Sequence, residues 1–528
     1  MKANNKIQAW LPFILSLTIV IGMLAGYYLQ GNKKNGLFGT NKTSVLQEAL
    51  TLIKLKYVDK VETDTLQQRA IEDIMNELDP HSVFLSKDAL KQANEDLAGN
   101  FQGIGVEFNL LADTVTVLYV IPEGPSKKAG IKIGDKLISA NDSSLIIKEN
   151  STERIKSLIR GPIGSKVKLG IVRDGKVISV TVTRGNIPVP AVESAYMLND
   201  STGYIKLVRF SETSYEEFMR SLETLQKNKL KSLVLDLRGN GGGFMNEAVD
   251  IADEFLSDDK LIVYTQGENS KKREYRCKRP GLFEQGKLVL LVDELSASAS
   301  EVLAGALQDW CRADIIGRRT FGKGLVQEQY VLDDGSAIRL TVARYYTPLG
   351  RSIQRSYQKG KKVYMDEIWE RYSNGEMVSE DSMKAHNGKS FYTNCNDTLY
   401  DGGGISPRYF VPYDTNAFSL GAGLLLTSSS YSEFIYGFYK KNESLINSFK
   451  KPVELYSNAS LTTQMNKDWT SFTQKLNGHA SVNFGNQKDS TTYRLIASLA
   501  RFRWGNAGYY ETLNTKDPMI FKALAIIK

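Results

Sequence analysis

Hydrophobic and polar positions change their period three times along this chain. Between Thr65 and Leu78 the apolar residues Ile71, Ile74, Met75 and Leu78 recur at helical spacing. Pro80, which lacks an N–H and clashes with the preceding turn, stops that helix, so residues 43–98 are predicted helical with a turn at Leu78-Asp79-Pro80-His81-Ser82. From Phe101 to Arg184 the texture shortens to strands. Thr114 to Ile121 alternates and is rich in β-branched residues, and Asp174-Gly175 between Lys166–Val172 and Lys176–Val182 predicts a hairpin. Within this region Ile155, Leu158 and Ile159 share one face of a short helix closed by Gly161.

From Thr202 to Pro412 compact apolar strands alternate with helices. The strands are Tyr204–Val208, Ser232–Leu237 and Lys287–Val292, and the helices Tyr215–Leu225, Met245–Phe255 and Glu301–Trp310, the pattern of an α/β core. Asp334-Gly335, between Val326–Leu332 and Ala337–Tyr345, predicts a second hairpin. Beyond about residue 415 the chain is polar, aromatic-rich and predicted mostly helical, with no chemical motif.

At the other end, Trp10 to Leu29 is uncharged and mostly apolar over twenty residues, enough to cross a bilayer as a helix. Trp10, Tyr27 and Tyr28 stand where aromatic rings favour the interface. Lys2 and Lys6 before it nearly balance Lys33 and Lys34 after it, so charge leaves the orientation open. A cleavable signal peptide is the rival reading, but Leu24-Ala25-Gly26-Tyr27-Tyr28 is a poor cleavage site, which favours an uncleaved anchor with the remainder translocated.

The 528 residues allow two to four domains. The net charge of +8 arises from 67 basic and 59 acidic side chains, mostly interspersed, which argues against a nucleic-acid partner. The densest basic run, from Lys271 to Arg279, reads as a solvated loop. Cys277, Cys311 and Cys395 have no zinc spacing, and any disulfide scheme leaves one unpaired. Cys311 ends an apolar helical pattern and reads as packing. The histidines His81, His386 and His479 match no metal-ligand pattern.

Four segments carry candidate chemistry. In Asp293-Glu294-Leu295-Ser296-Ala297-Ser298-Ala299-Ser300-Glu301 a buried strand meets a turn of small residues at a helix start. There free N–H groups and the helix dipole favour developing negative charge, and the Ala299 N–H is a natural oxyanion donor. The competing reading is a capping box, Ser298-x-x-Glu301, which on this segment alone is the better one. In Thr320-Phe321-Gly322-Lys323-Gly324 a lysine lies between two glycines; a lysine acts as a base only when neutral, and burial depresses its pKa. Gln327, four residues on, could hydrogen-bond it. The loop Asp236-Leu237-Arg238-Gly239-Asn240-Gly241-Gly242-Gly243 lacks both a Walker lysine and a dinucleotide fingerprint, and fits an oxyanion hole with Gly242 as donor. Finally, Gly103-Ile104-Gly105-Val106 leads into a strand and suits capture of a C-terminal carboxylate, though a plain β-turn explains the segment alone.

Taken together in this order, the segments resemble the C-terminal processing peptidases, or tail-specific proteases, over about residues 43 to 412. The resemblance implies that Ser298 is the nucleophile, Lys323 the general base 25 positions later, and Gln327 its support. It makes Gly242 and Ala299 the oxyanion donors and Gly103, Ile104, Gly105 and Val106 the peptide-binding loop of a PDZ domain. The implied architecture is a crotonase-like α/β protease core with an inserted PDZ domain. Its expected divisions are an anchor or signal segment over 1–30, a helical segment over 31–98, the PDZ domain over 99–186, the peptidase core over 187–414 and a helical extension over 415–528. No cofactor or metal is implied. The implied partners are proteins with apolar C-terminal tails and the membrane; a homo-oligomer or an adaptor protein is compatible with the resemblance. The implied site of action is periplasmic or otherwise extracytoplasmic, at a bacterial inner membrane. Gly239 and Gly241 depart from the asparagine and proline common in the family. A peptide-binding scaffold with a dead core would leave Ser298, Lys323 and Gln327 unexplained, and an acyl-CoA enzyme of the crotonase type would leave the PDZ-like region unexplained.

Overall fold

A computed structural model describes residues 44–111, 114–146, 152–383, 388–413, 428–476 and 488–528, with residues 425–426 and most of 10–23. The chain divides into two units, residues 1–73 and 74–528. In the first, helix Val45–Lys56 is capped by the Ser44 hydroxyl, which accepts from the Gln47 N–H, and Val45, Leu46, Leu52 and Leu55 are exposed. Among the described residues no helix is long and apolar enough to cross a membrane. Residues 11, 14 and 24–29 of the expected span lie outside the described residues.

The second unit is built on a six-stranded sheet. Its order is Val192–Met197, Thr202–Leu207, Ser232–Asp236, Lys287–Val292, Asp314–Gly317 and Tyr409–Phe410; the first pair is antiparallel and the rest are parallel. Both faces are covered, which is why these strands read as unbroken apolar runs. Leu233, Leu235, Leu288, Leu290 and Val292 pack against helices Ser214–Lys227, Met245–Asp253 and Ala299–Asp309. Tyr204, Val234, Val289, Leu291 and Ile316 pack on the opposite face against Met519, Ile520 and Ala523 of the last helix, Pro518–Ile527.

A second sheet carries Val83–Leu85, Ala337–Tyr346, Leu261–Gln266 and Arg273–Arg276 in that order, with Leu325–Val331 paired to Ala337–Tyr346. Two expectations change here. Val83–Leu85, placed in an all-helical stretch by the sequence, pairs antiparallel with Ala337–Arg339, three adjacent apolar side chains gaining a ladder that local periodicity could not announce. The basic run is partly an edge strand, Arg273–Arg276, whose charges suit an exposed edge.

Strands Asn100–Gly103 and Gly185–Pro188 pair antiparallel, so the chain leaves and re-enters the core side by side. Between them lies a six-stranded sheet, Val106–Leu111, Thr114–Val120, Lys136–Ala140, Lys166–Arg173 and Lys176–Thr183 in that order, with the short strand Ser143–Ser144 paired to Lys136–Ala140, closed by helix Thr152–Ile159. Its core holds Ile104, Val115, Leu137, Ile155 and Leu169. The Asp174-Gly175 turn has φ of 50° and 78°, both positive as a tight hairpin requires.

Helices Ser429–Ser448, Val453–Ser457, Ala459–Leu476 and Lys488–Asn514 enclose a separate core around Phe434, Met465, Trp469 and Leu495. Cys311 forms a disulfide with Cys395, Cα atoms 6.2 Å apart, leaving Cys277 free and buried. The packing role expected for Cys311 is thereby corrected: it lies exposed just past the helix, at φ 54°, facing a partner 84 residues away.

Candidate active site

Strand Lys287–Val292 delivers the chain into a turn locked by its own polar groups. Asp293 Oδ1 accepts from Gly239 N at 2.9 Å and Leu295 N at 3.1 Å, and Ser296 Oγ donates to the Leu237 carbonyl at 2.9 Å. Ser298 then sits at φ 56°, ψ −115°, a conformation that costs a non-glycine residue on the order of 1–3 kcal/mol. The surroundings hold it there, at the N-terminus of a helix whose every residue from Ala299 to Asp309 is buried.

Glu301 is the residue that ties this turn to the lysine. It is fully buried, and its carboxylate accepts from Ser298 N at 2.8 Å, Thr320 Oγ1 at 2.5 Å, Gly322 N at 2.7 Å and Lys323 N at 2.9 Å. Burial raises its pKa, while these four donors pull the other way. Glu301 thus fills its half of the capping box and also reaches the lysine loop. The sequence offered only the first role, because the second depends on contacts 19 to 22 residues away. Tyr345 adds a second tie: its hydroxyl donates to the Ser298 carbonyl at 3.0 Å and to the Lys323 carbonyl.

Lys323 stands where the backbone must pass closely. A Cβ on Gly324 would lie 2.9 Å from Gln354 N, and Gly322 has φ 88°. Burial lowers the Lys323 pKa, Arg339 nearby lowers it further, and Glu301 and Asp79 partly oppose this. Gln327 lies on the following strand, its Nε2 3.5 Å from Thr341 Oγ1. His81, from the turn that ends the early helix, joins the same neighbourhood: its Nε2 is 2.9 Å from Tyr364 Oη, and burial with the nearby Lys323 charge lowers its pKa to about 4. His386 and His479 lie outside the described residues.

The glycine-rich loop meets the Ser298 turn edge on. A Cβ on Gly242 would stand 2.8 Å from Ser298 Cβ and 3.0 Å from Ala299 N, so only glycine fits, and its φ of 97° requires glycine as well. The Gly242 N–H donates to Asn240 Oδ1 at 2.9 Å. Asn240, which the sequence did not single out, is fully buried and staples the two segments. Its carbonyl accepts from Ala297 N at 3.0 Å and Ser300 Oγ at 2.9 Å, and its Nδ2 donates to the Leu207 carbonyl at 3.0 Å. The Ala299 N–H has no acceptor among the described residues.

In the inserted domain Gly103, Ile104 and Gly105 are buried, with Gly105 at φ 76°. Among the described residues the N–H groups of Ile104 and Gly105 have no acceptor. Val106 begins a strand paired on one side only, with Thr114–Val120.

Residues 201–360 match peptidase family S41 and residues 102–183 match the PDZ domain. The carboxy-terminal processing protease CtpA of Bacillus subtilis is 33% identical over 66% of this chain and 76% of its own length. CtpB of the same organism is 34% identical over 59% of this chain and 65% of its own. Among solved structures, the photosystem II D1 C-terminal processing protease is 26% identical, covering 73% of this chain and 91% of that one with a TM-score of 0.36. The Ser298 turn, the lysine loop and the domain inserted between paired strands therefore belong to a serine-type peptidase, and this chain is a member of the carboxy-terminal processing proteases of family S41.

Proposed function

We propose that Ser298 and Lys323 form a catalytic dyad that cleaves proteins whose apolar C-terminal tails are held by the PDZ domain. The observation that carries this reading is Glu301: one buried carboxylate binds the main chains of both Ser298 and Lys323. Neutral Lys323 takes the proton from Ser298 Oγ as that oxygen bonds to the scissile carbonyl carbon. The oxyanion is met by the Ala299 N–H and by Gly242, whose N–H must turn from Asn240 Oδ1. Lys323 then protonates the leaving amine as the C–N bond breaks, and water hydrolyses the acyl-enzyme. Gln327, which meets Thr341 Oγ1 in the structure, would turn from it to support Lys323. Removing one oxyanion donor typically costs about 2.7–4 kcal/mol of transition-state stabilisation.

A tail would add as a strand beside Val106–Leu111, its carboxylate on the Ile104 and Gly105 N–H groups. Among the described residues that strand is paired on one side only, which supports this mode. The Cys311–Cys395 disulfide supports an extracytoplasmic location, where such bonds persist, with Trp10–Leu29 as the membrane anchor. The test is cleavage of an unfolded protein ending in apolar residues, followed by mass spectrometry of its fragments. The parent chain should cleave, and Ser298→Ala and Lys323→Ala should not. Equal cleavage by all three chains would overturn the dyad.

A further inference from the structure

The helices beyond residue 428 carry no chemical motif, yet they grip both parts that tail-directed cleavage must coordinate. On the PDZ side Arg501 pairs with Glu107 at 2.9 Å, and Asn109 Nδ2 donates to Ser432 Oγ at 3.0 Å. Both partners stand on the strand that follows the carboxylate loop. Ile133 packs against the bundle core, and the Tyr436 hydroxyl occupies the space a Cβ on Gly134 would need. The Arg501–Glu107 pair is exposed and contributes little alone; the packed contacts make the grip firm.

On the core side Tyr510 Oη donates to Glu193 at 2.8 Å and Asn514 Nδ2 to Tyr196 Oη at 2.9 Å. Asp517 accepts from Arg238 at 2.6 Å. Arg238 also binds Asp236 at 2.6 Å and heads the loop that carries Asn240 and Gly242. Arg501, Tyr510 and Asn514 lie on one helix, Lys488–Asn514, which breaks at Gly505 (φ 63°, ψ −157°) beside Tyr119 of the PDZ sheet. One half of that helix faces the PDZ domain and the other the core, with a glycine joint between them.

We infer that this helical layer couples tail binding to the oxyanion loop, with Asp517 acting through Arg238 as a positioning residue. The inference rests on the tail-binding reading of the PDZ domain. A tail seated on Val106–Leu111 shifts the strand bearing Glu107 and Asn109. The shift passes across Gly505 to the segment ending at Asp517, and so to the loop where Gly242 must release Asn240.

The experiment is hydrogen–deuterium exchange on the full chain carrying Ser298→Ala. The probe is a decapeptide with an apolar C-terminus and a free carboxylate, and its amidated form is the control. The coupling requires exchange to change at 103–110, at 501–517 and at 237–244. Asp517→Asn keeps an N-cap side chain for the last helix while removing the negative charge that faces Arg238. It should abolish the response at 237–244 and leave that at 103–110. In the active chain the same substitution should lower kcat on a short tailless peptide by about tenfold at unchanged KM, since small misplacement at a reacting centre costs up to about 100-fold. Tyr436→Ala with Arg501→Ala, which spares the core, should likewise silence 237–244. A response confined to 103–110 in the parent, or one at 237–244 that survives both sets of substitutions, overturns the coupling. No response at 103–110 means the tail-binding reading itself has failed and takes the coupling with it. Exchange is read without cleavage, so failure of the dyad is a separate result.

Discussion

At the scale of single residues, the proposed chemistry depends on two groups whose pKa values burial shifts. Lys323 has its pKa lowered because the ammonium is desolvated and Arg339 repels it. A base with a depressed pKa is protonated and inactive below that pKa and active above it. Activity should therefore rise with pH through an apparent pKa below the ordinary lysine value of about 10.4. A kcat/KM profile checks this, and a rise centred at or above that value would contradict it. Glu301 is the second group. Glu301→Gln keeps the shape but turns an amide N–H toward donors that need an acceptor. Leaving even one buried partner unsatisfied costs about 1–3 kcal/mol. The variant should lose that much stability in urea unfolding and, with its two loops untied, lose most of its activity.

At the scale of elements, the helix that begins at Ser298 is held at its far end as well. Asp309 accepts from Arg351 at 2.6 Å in a fully buried pair, and Cys311 just beyond is bonded to Cys395. The disulfide closes a loop of 84 residues that contains Lys323, so it restricts the unfolded chain in the region that carries the proposed base. Replacing both cysteines by serine should cost about 2–4 kcal/mol, the usual range for such a bond. Thermal melting with and without a dithiol checks this: the reductant should lower the parent's midpoint and leave the variant's unchanged.

For the whole molecule, the last helix is part of the catalytic core's architecture. Met519 and Ile520 cover the face of the central sheet formed by Val234, Val289 and Leu291. Burying two such side chains contributes on the order of 3–6 kcal/mol. Ending the chain after Asp517 should therefore lower the melting midpoint by about 10 °C, at 2–4 °C per kcal/mol. An unchanged midpoint would show the sheet face to be covered otherwise. The buried cluster of Lys206, Asp236, Arg238 and Asp517 works at the same scale. Burial alone would raise the Asp236 pKa, but Arg238 and Lys206 outweigh it and hold the carboxyl well below the usual range.

What the sequence determined by itself is whatever local pattern encodes. The unbroken apolar runs, the Asp-Gly hairpins and the small-residue turn before Glu301 each dictate a backbone conformation within a few residues, and the helices and strands of the core lie close to where that pattern places them. The order of the glycine-rich loop, Ser298 and Lys323 made the family legible for the same reason. Tertiary structure alone decided what depends on distant partners. Nothing near Glu301 in sequence indicates that its carboxylate spans two loops. Val83–Leu85 became a strand only because Ala337–Arg339 offered a ladder. Cys311 found Cys395, and Asp517 found Arg238 across 279 positions. Such contacts are selected by the packing of whole elements, and a one-dimensional pattern holds no record of which faces will meet.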